Sequence, residues 1–197
     1  YFNELKKEVT EIQTKYPNLS PDNAFITWFM RAFITDDEKD AVDSITGKSA
    51  DKSIDAIYID KDNRIVFIVQ GKYHQKNETT ASRSDVLALA DIGNCFYSLS
   101  KDVFESVLNK ANSKVRHLLP IVKKLLIQQG YSLVLMFATT GKISATHVEE
   151  AESRVEENEN IRFEVFSKSD LVKLMQDYIV GAAPPVPTTR RTGRARG

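Results

Sequence analysis

The sequence is poor in the residues that build disulfide frameworks and membrane spans. It holds one cysteine, Cys95, among 197 residues, which excludes an internal disulfide and favours a reducing, cytoplasmic setting. Cys95 stands in the apolar stretch GNCFYSL, so we expect a small buried residue of the core. No run approaches the ~20 apolar residues of a membrane helix, and no membrane partner is expected.

Several motifs that commonly carry catalysis are also missing. The chain has no glycine-rich phosphate loop, no G-x-S-x-G elbow and no cluster of cysteines and histidines. Its three histidines are His74, His117 and His147. We expect His74 to be a half-exposed residue at a strand end, with contact to phosphate as the alternative. The other two have no evident partner and are assigned structural roles.

Basic residues are few in the folded part and concentrated at the end of the chain. The sequence has 27 basic and 27 acidic residues, but its last fourteen residues, PPVPTTRRTGRARG, hold four arginines and no acid. Without these arginines, 23 basic and 27 acidic residues remain, a charge of −4. We interpret residues 181–197 as a linker or tail that packs little against the domain. No basic groove is evident before it, which argues against tight DNA binding by this domain alone.

The apolar pattern predicts one domain over residues 1–180. Residues 1–35 have the period of two helices, and a short helix ending at Gly47 follows. A hairpin over residues 54–76 comes next, then helices with an interruption near Pro120, and finally strand, helix, strand and helix. This order predicts an α/β fold, with a mixed sheet flanked by helices on both faces.

Polar residues mark both ends of the hairpin IDAIYIDKDNRIVFIVQGKYHQK. With its turn centred on Asp62–Asn63, opposed positions sum to 125, and Asp55 lies opposite Gln70. Lys72 is two residues beyond Gln70 and therefore points to the same face of the sheet. We expect the head groups of Asp55, Gln70 and Lys72 to lie within about 8 Å of one another.

This set of residues suits the hydrolysis of phosphodiesters. Mg²⁺ takes hard oxygen ligands, and it keeps water and substrate phosphate beside one or two protein oxygens. Asp55 offers a charged ligand, while the Gln70 amide and the Gly71 backbone carbonyl offer neutral oxygens. Lys72 is placed to position or deprotonate an attacking water, or to stabilise the charged transition state. Polar residues at strand ends are common, however, so the same pattern also fits an ordinary hairpin.

The segment GKSADKSIDAIYIDKDNRIVFIVQGKY, residues 47–73, resembles the nuclease-like domain of the abortive-infection phage-resistance family. That family is similar to the PD-(D/E)xK, restriction-endonuclease-like superfamily. The resemblance implies that Asp55 is the metal-binding aspartate after the first core strand and that Lys72 is the motif lysine. It also implies that Gln70 replaces the usual glutamate, as in Mrr-like restriction enzymes. A restriction-endonuclease-like fold and a Mg²⁺- or Mn²⁺-dependent nuclease acting on DNA, or on RNA, in antiphage defence are then expected.

One departure from the superfamily pattern leaves the activity open. Many members carry a metal-binding glutamate on the first core helix, whereas here the helix over residues 21–34 has no acid after Asp22. Asp51, or the acids within residues 36–43, are the possible substitutes. Two other functions therefore stand beside the nuclease: a domain that binds nucleic acid without cutting it, and a protein-interaction module of a defence assembly. An exposed apolar patch on residues 102–129 would mark the latter.

The protein partners expected from the same resemblance are of three kinds. Cleavage of both strands of a duplex needs two sites, which predicts a homodimer. Members of the family are usually longer, which predicts a further domain beyond the arginine-rich tail. A second subunit of a defence system is the third expected partner.

Overall fold

The computed structural model describes residues 1–47, 54–75 and 79–179. Asp51 and residues 181–197 lie outside these ranges, so what was expected of them stays a prediction. The helices within the ranges are α1 (Phe2–Lys15), α2 (Pro21–Phe33), α3 (Glu38–Asp43), α4 (Arg83–Cys95), α5 (Lys101–Lys110), α6 (Ser113–Gln129), α7 (Ala145–Val155) and α8 (Lys168–Ile179). The strands are β1 (Ala56–Asp60), β2 (Ile65–Lys72), β3 (Ser132–Thr139) and β4 (Ile161–Phe166).

The four strands form one mixed sheet in the order β1-β2-β3-β4. β1 pairs with β2 in an antiparallel arrangement. The other two pairs, β2 with β3 and β3 with β4, are parallel. Helices intervene between β2 and β3 and between β3 and β4, as parallel connections require. The α/β fold with a mixed, helix-flanked sheet is therefore confirmed. The carboxyl ends of the three parallel strands meet at one edge, where α/β proteins commonly bind ligands.

Two apolar layers cover the two faces of the sheet. One layer packs α4 to α7 against the face that carries Val66 and Ile68 of β2. The other packs α1, α2 and α8 against the face that carries Phe67 and Val69. Because β2 and β3 are covered on both sides, their sequences are nearly continuous apolar runs instead of alternating patterns.

The amino-terminal helices form where the sequence predicts them. The Ser20 hydroxyl accepts a hydrogen bond from the backbone N–H of Asn23, and Pro21 occupies the first position of α2. The aromatic residues of α2 lie in the core, where Phe29 packs against Phe166 of β4 with ring centroids 4.9 Å apart. Within the described ranges, no helix combines the length and apolarity that a membrane crossing demands.

The predicted end of the third helix was wrong. α3 ends at Asp43 instead of Gly47, because the chain then runs alongside β1. Ile45 forms an antiparallel bridge with Ala56, and the backbone N–H of Ile57 donates to the carbonyl of Ser44 at 3.0 Å. The residues before Gly47 therefore belong to the sheet edge.

The predicted interruption at Pro120 was also wrong. The helical region breaks between Lys110 and Ser113, and Pro120 lies inside α6. The Asn112 side chain accepts a hydrogen bond from the backbone N–H of Val115 at 2.9 Å and so caps α6. Proline costs an interior helix one hydrogen bond, and here the buried face of α6 holds the helix together across it.

Candidate functional site

The hairpin has the register that its turn residues predict. Ala56 pairs with Val69 and Asp60 with Ile65, so opposed positions sum to 125. Asp55 is the residue before Ala56 and therefore lies opposite Gln70. The predicted pairing of these two polar residues follows from the observed register.

The turn at the other end of the hairpin is held by side chains. Both carboxylate oxygens of Asp60 accept hydrogen bonds from Asn63, one from its backbone N–H at 3.0 Å and one from its side-chain amide at 2.9 Å. Arg64 adopts a positive φ of 57°, which is unusual outside glycine. Its guanidinium donates to the carbonyl of Gln129 and lies 4.9 Å from the ring centroid of Tyr131. These contacts fix the turn against the start of β3.

Asp55 extends the hydrogen-bond ladder of the hairpin with both its backbone and its side chain. Its backbone N–H donates to the carbonyl of Val69 at 2.8 Å. Its Oδ2 accepts from the backbone N–H of Gly71 at 2.8 Å, and the side chain is half-buried. The resemblance implies that this aspartate follows the first core strand. In the structure, Asp55 immediately precedes β1. Ile45 forms a bridge with Ala56 on the side of β1 that faces away from β2.

Gly71 is closely packed against Ile26 of α2 and Ala138 of β3. A Cβ at this position would stand 2.1 Å from Cδ1 of Ile26 on α2 and 3.3 Å from the carbonyl oxygen of Ala138. A larger residue at this position would therefore push the Ile26 side chain aside. The N–H and C=O of one strand residue point to the same side. The Gly71 carbonyl consequently points toward the side on which Asp55 lies.

Gln70 and Lys72 end β2 on the face that is covered by α4. Gln70 is only 1% exposed and lies level with Phe137 of β3. Lys72 is half-exposed, and its Nζ stands 3.8 Å from Oδ2 of Asp85. Their two-residue spacing within a regular strand puts both side chains on the same face, as the sequence predicts.

Asp85 is a residue of this site that sequence reasoning missed. It lies in the first turn of α4, and its backbone N–H donates to the hydroxyl of Ser82 at 3.1 Å. The signal was the stretch SRSD before an apolar run, which is a helix start. A helix that follows β2 must begin near the carboxyl end of that strand, so its first acid comes close to Lys72.

Glu38 of α3 is paired with basic residues of α1 and α2. Glu38 binds Lys15 of α1 at 2.6 Å and Arg31 of α2 at 3.3 Å. The hydrogen bond from Lys15 holds the pKa of the Glu38 carboxyl below its usual range. Asp37 and Asp40 lie near Tyr58, in the middle of β1. Of the proposed substitutes for a helix acid, Glu38 therefore binds structural partners, and Asp51 lies outside the described residues.

His74 is a half-exposed residue beyond the strand end, as expected. Its ring Nε2 lies 2.9 Å from the hydroxyl of Thr79. Its backbone N–H donates to Thr140 Oγ1 at 2.6 Å, and that hydroxyl donates back to the His74 carbonyl at 3.1 Å. His117 is exposed on α6, and His147 is half-buried on α7. None of these contacts points to catalysis by histidine.

The donors near the hairpin entry are oxygens, and few of them are charged. Among residues 1–47, 54–75 and 79–179, no three or more His, Cys, Asp or Glu side chains are grouped closely enough to hold a metal ion. The predicted ligand set combines one carboxylate, that of Asp55, with two neutral oxygens, from the Gln70 amide and the Gly71 carbonyl. Such hard oxygen donors fit Mg²⁺ or Mn²⁺, with water and substrate phosphate completing the coordination.

Comparison of the chain with protein-family models, with curated proteins and with solved structures found no match. The resemblance of residues 47–73 to the abortive-infection family therefore stays a prediction. What it implies about activity is therefore proposed below from the geometry of the site.

Proposed function

We propose that this chain is a metal-dependent nuclease domain of the restriction-endonuclease-like type that hydrolyses nucleic acid, DNA in the first place, in antiphage defence. One observation carries the proposal: the hairpin register puts Asp55 opposite Gln70, with the Asp55 carboxylate bonded to the N–H of Gly71. A homodimer and a further defence subunit or domain are the expected partners.

Each polar group of the site has a role in this reaction. Asp55, the Gln70 amide and the Gly71 carbonyl would hold Mg²⁺ or Mn²⁺, which polarises a phosphate and makes a bound water more acidic. Lys72 stands at the end of β2, where its ammonium would stabilise the charge that develops on a bound phosphate in the transition state. Asp85 holds that ammonium toward α4. Gln70 is buried, so its amide is orientated by the surrounding core.

Two observations favour alternatives to cleavage. The site has one carboxylate on the hairpin and no acid on α2 beyond Asp22, which supports a domain that binds nucleic acid without cutting. Exposed apolar side chains also lie on α5 and α6, at Val103, Ile121 and Ile127. They support the protein-interaction module, because an exposed apolar patch is the surface such a module uses.

Cleavage assays with the purified chain test the proposal. We expect plasmid DNA or labelled oligonucleotides to be cut with Mg²⁺ or Mn²⁺ and to remain intact with EDTA. Lys72→Ala should spare metal binding and slow cleavage by about two orders of magnitude, or roughly 3 kcal/mol of transition-state stabilisation. Lys124→Ala, an exposed residue of α6, is the matched control and should cut like the wild type.

Gln70→Glu tests the ligand set. It supplies a second carboxylate, so Mn²⁺ should bind more tightly in calorimetry if Gln70 is a ligand. Unchanged affinity would remove Gln70 from the ligand set. A wild-type chain that cuts neither DNA nor RNA with any divalent metal, alone or with its native partners, would refute the nuclease. Binding without cutting would favour the first alternative.

A further inference from the structure

The two edges of the sheet differ in what lies beside them. At the edge formed by β1, Ile45 bridges to Ala56, and the N–H of Thr46 donates to the carbonyl of Asp55 at 3.0 Å. β4 forms the other edge, and among the residues that the structure describes only β3 pairs with it. An edge strand of this kind can accept a further strand from another chain.

The backbone of β4 directs hydrogen-bonding groups to the outer side of the sheet. The N–H of Leu133 on β3 donates to the carbonyl of Asn160 at 2.8 Å, so the backbone groups of Asn160 face β3. This direction alternates along a strand, and Phe163 and Val165 therefore point their N–H and C=O groups away from β3. Such a row of donors and acceptors is what an extended peptide binds when it adds to a sheet.

An open groove of about 260 Å³ lies between this strand and α7. It is lined by Glu152, Val155 and Glu156 of α7 and by residues 161–164 at the start of β4. Glu152 and Glu156 are exposed and stand one helical turn apart, on the same side of α7. The groove therefore presents two carboxylates along the outer strand.

The other charges near this groove are directed elsewhere. Arg154 of α7 faces α4, where it binds the carboxylate of Asp91 at 2.8 Å. The odd-numbered residues of β4 pack in the layer of α4 to α7, so the side chains of Arg162 and Glu164 lie on the other face of the sheet. They also carry opposite charges. The side of the edge that faces α7 is consequently acidic.

We propose that β4 binds an extended segment of a partner protein as a fifth strand, with lysine or arginine at alternate positions beside Glu152 and Glu156. The main chain of this segment would bond to Phe163 and Val165. A second copy of the chain fits the edge less well, because pairing β4 with the β4 of a copy brings α7 beside α7 and acids beside acids. Such binding does not depend on cleavage, and β3 separates this edge from β2.

A fluorescent peptide tests the edge on the full chain. The probe alternates threonine with arginine, and its control alternates threonine with glutamate. Anisotropy should show binding of the arginine peptide and none of the glutamate peptide. The affinity should fall as salt rises from about 50 to about 500 mM, because exposed charges are then screened.

Two charge-reversed variants form a matched pair. Glu152→Lys with Glu156→Lys turns two attractive contacts into repulsive ones and should weaken binding by about tenfold or more. Glu11→Lys with Glu105→Lys makes the same change of charge at exposed positions of α1 and α5. The second variant should bind the arginine peptide like the wild type.

Val165→Pro tests the pairing of strands apart from charge. It removes one N–H on the outer side and leaves the bonds to β3, and edge strands accept proline at such positions. Binding should weaken by about tenfold, as expected for a lost hydrogen bond and a poorer fit. A melting curve shows whether the variant is folded.

Each outcome bears on the fifth strand. Weaker binding by Val165→Pro and by the Glu152 and Glu156 double variant, with the α1 and α5 control unchanged, supports it. No binding by the wild type overturns it, and so does equal binding by the two charge-reversed variants. Wild-type binding by folded Val165→Pro would show attraction without strand pairing and would overturn it as well. Self-association of the full chain that the Glu152 and Glu156 variant abolishes would assign the edge to a second copy instead.

Discussion

Replacing Asp55 distinguishes the structural role of its carboxylate from its proposed role as a metal ligand. Oδ2 accepts the backbone N–H of Gly71 at 2.8 Å in a half-buried position. Asp55→Ala removes this acceptor, and an unsatisfied buried donor costs about 1–3 kcal/mol. Water reaches part of this position, so we expect the lower half of that range. For a domain of this size, the melting temperature should fall by about 2–8 °C.

Asp55→Asn changes the charge and keeps an oxygen at the same place. The Asn oxygen can accept from Gly71, so the melting temperature should stay within about 2 °C of the wild type. Mn²⁺ binding should be lost in both variants, because each lacks the carboxylate that the described residues contribute at the hairpin entry. Scanning calorimetry gives the stability, and titration calorimetry gives the metal affinity. Asp102→Asn, at an exposed position of α5, controls for the change in net charge.

The structural role and the metal-binding role of Asp55 can be contradicted separately. Wild-type affinity for Mn²⁺ in both Asp55 variants would show that the carboxylate is structural and holds no metal. An unchanged melting temperature in Asp55→Ala would show that its hydrogen bond to Gly71 adds nothing to stability. Equal destabilisation by alanine and asparagine would assign the effect to charge.

Three further predictions concern the frame around the site. Gly71→Ala should destabilise the domain by about 1–3 kcal/mol in urea unfolding, because its Cβ would stand 2.1 Å from Cδ1 of Ile26 and that fully buried side chain would have to move; an unchanged midpoint would mean that Ile26 moves aside without cost. Glu38→Gln should lower stability at pH 7. This deficit should fade as the pH falls through the lowered pKa of Glu38, since protonation there removes the same bond from Lys15; a deficit constant with pH would contradict this. Burial raises the pKa of Cys95 to about 12, so a thiol reagent at pH 8 should label it only upon unfolding, and rapid labelling of the folded chain would refute its burial.

Local chemistry made the hairpin predictable. The turn residues between Asp60 and Arg64 fix the register, and the register alone decides that Asp55 opposes Gln70. The apolar period likewise predicted α1 and α2, and the continuous apolar run predicted β3. In each case the deciding interactions lie within a few residues of one another along the chain.

Features that depend on distant residues were not predictable in this way. Asp85 reaches Lys72 only because α4 begins near the carboxyl end of β2, and nothing in the sequence between the two residues predicts this contact. The interruption expected at Pro120 was misplaced because the buried face of α6, a tertiary contact, outweighs the local cost of proline.

The turn at Lys61–Arg64 has a consequence for the opposite end of the hairpin, about 17 Å away at 3.4 Å per residue. β2 is held by β3, so its position does not follow changes in the turn. A deletion that a shorter turn does not absorb would slide β1 by one step and turn every one of its side chains to the other face. Asp55 would then leave Gln70 although neither residue had changed. The length of this turn therefore helps to determine the geometry of the site. Substitutions that keep the length should be tolerated, whereas a deletion that shifts β1 should not.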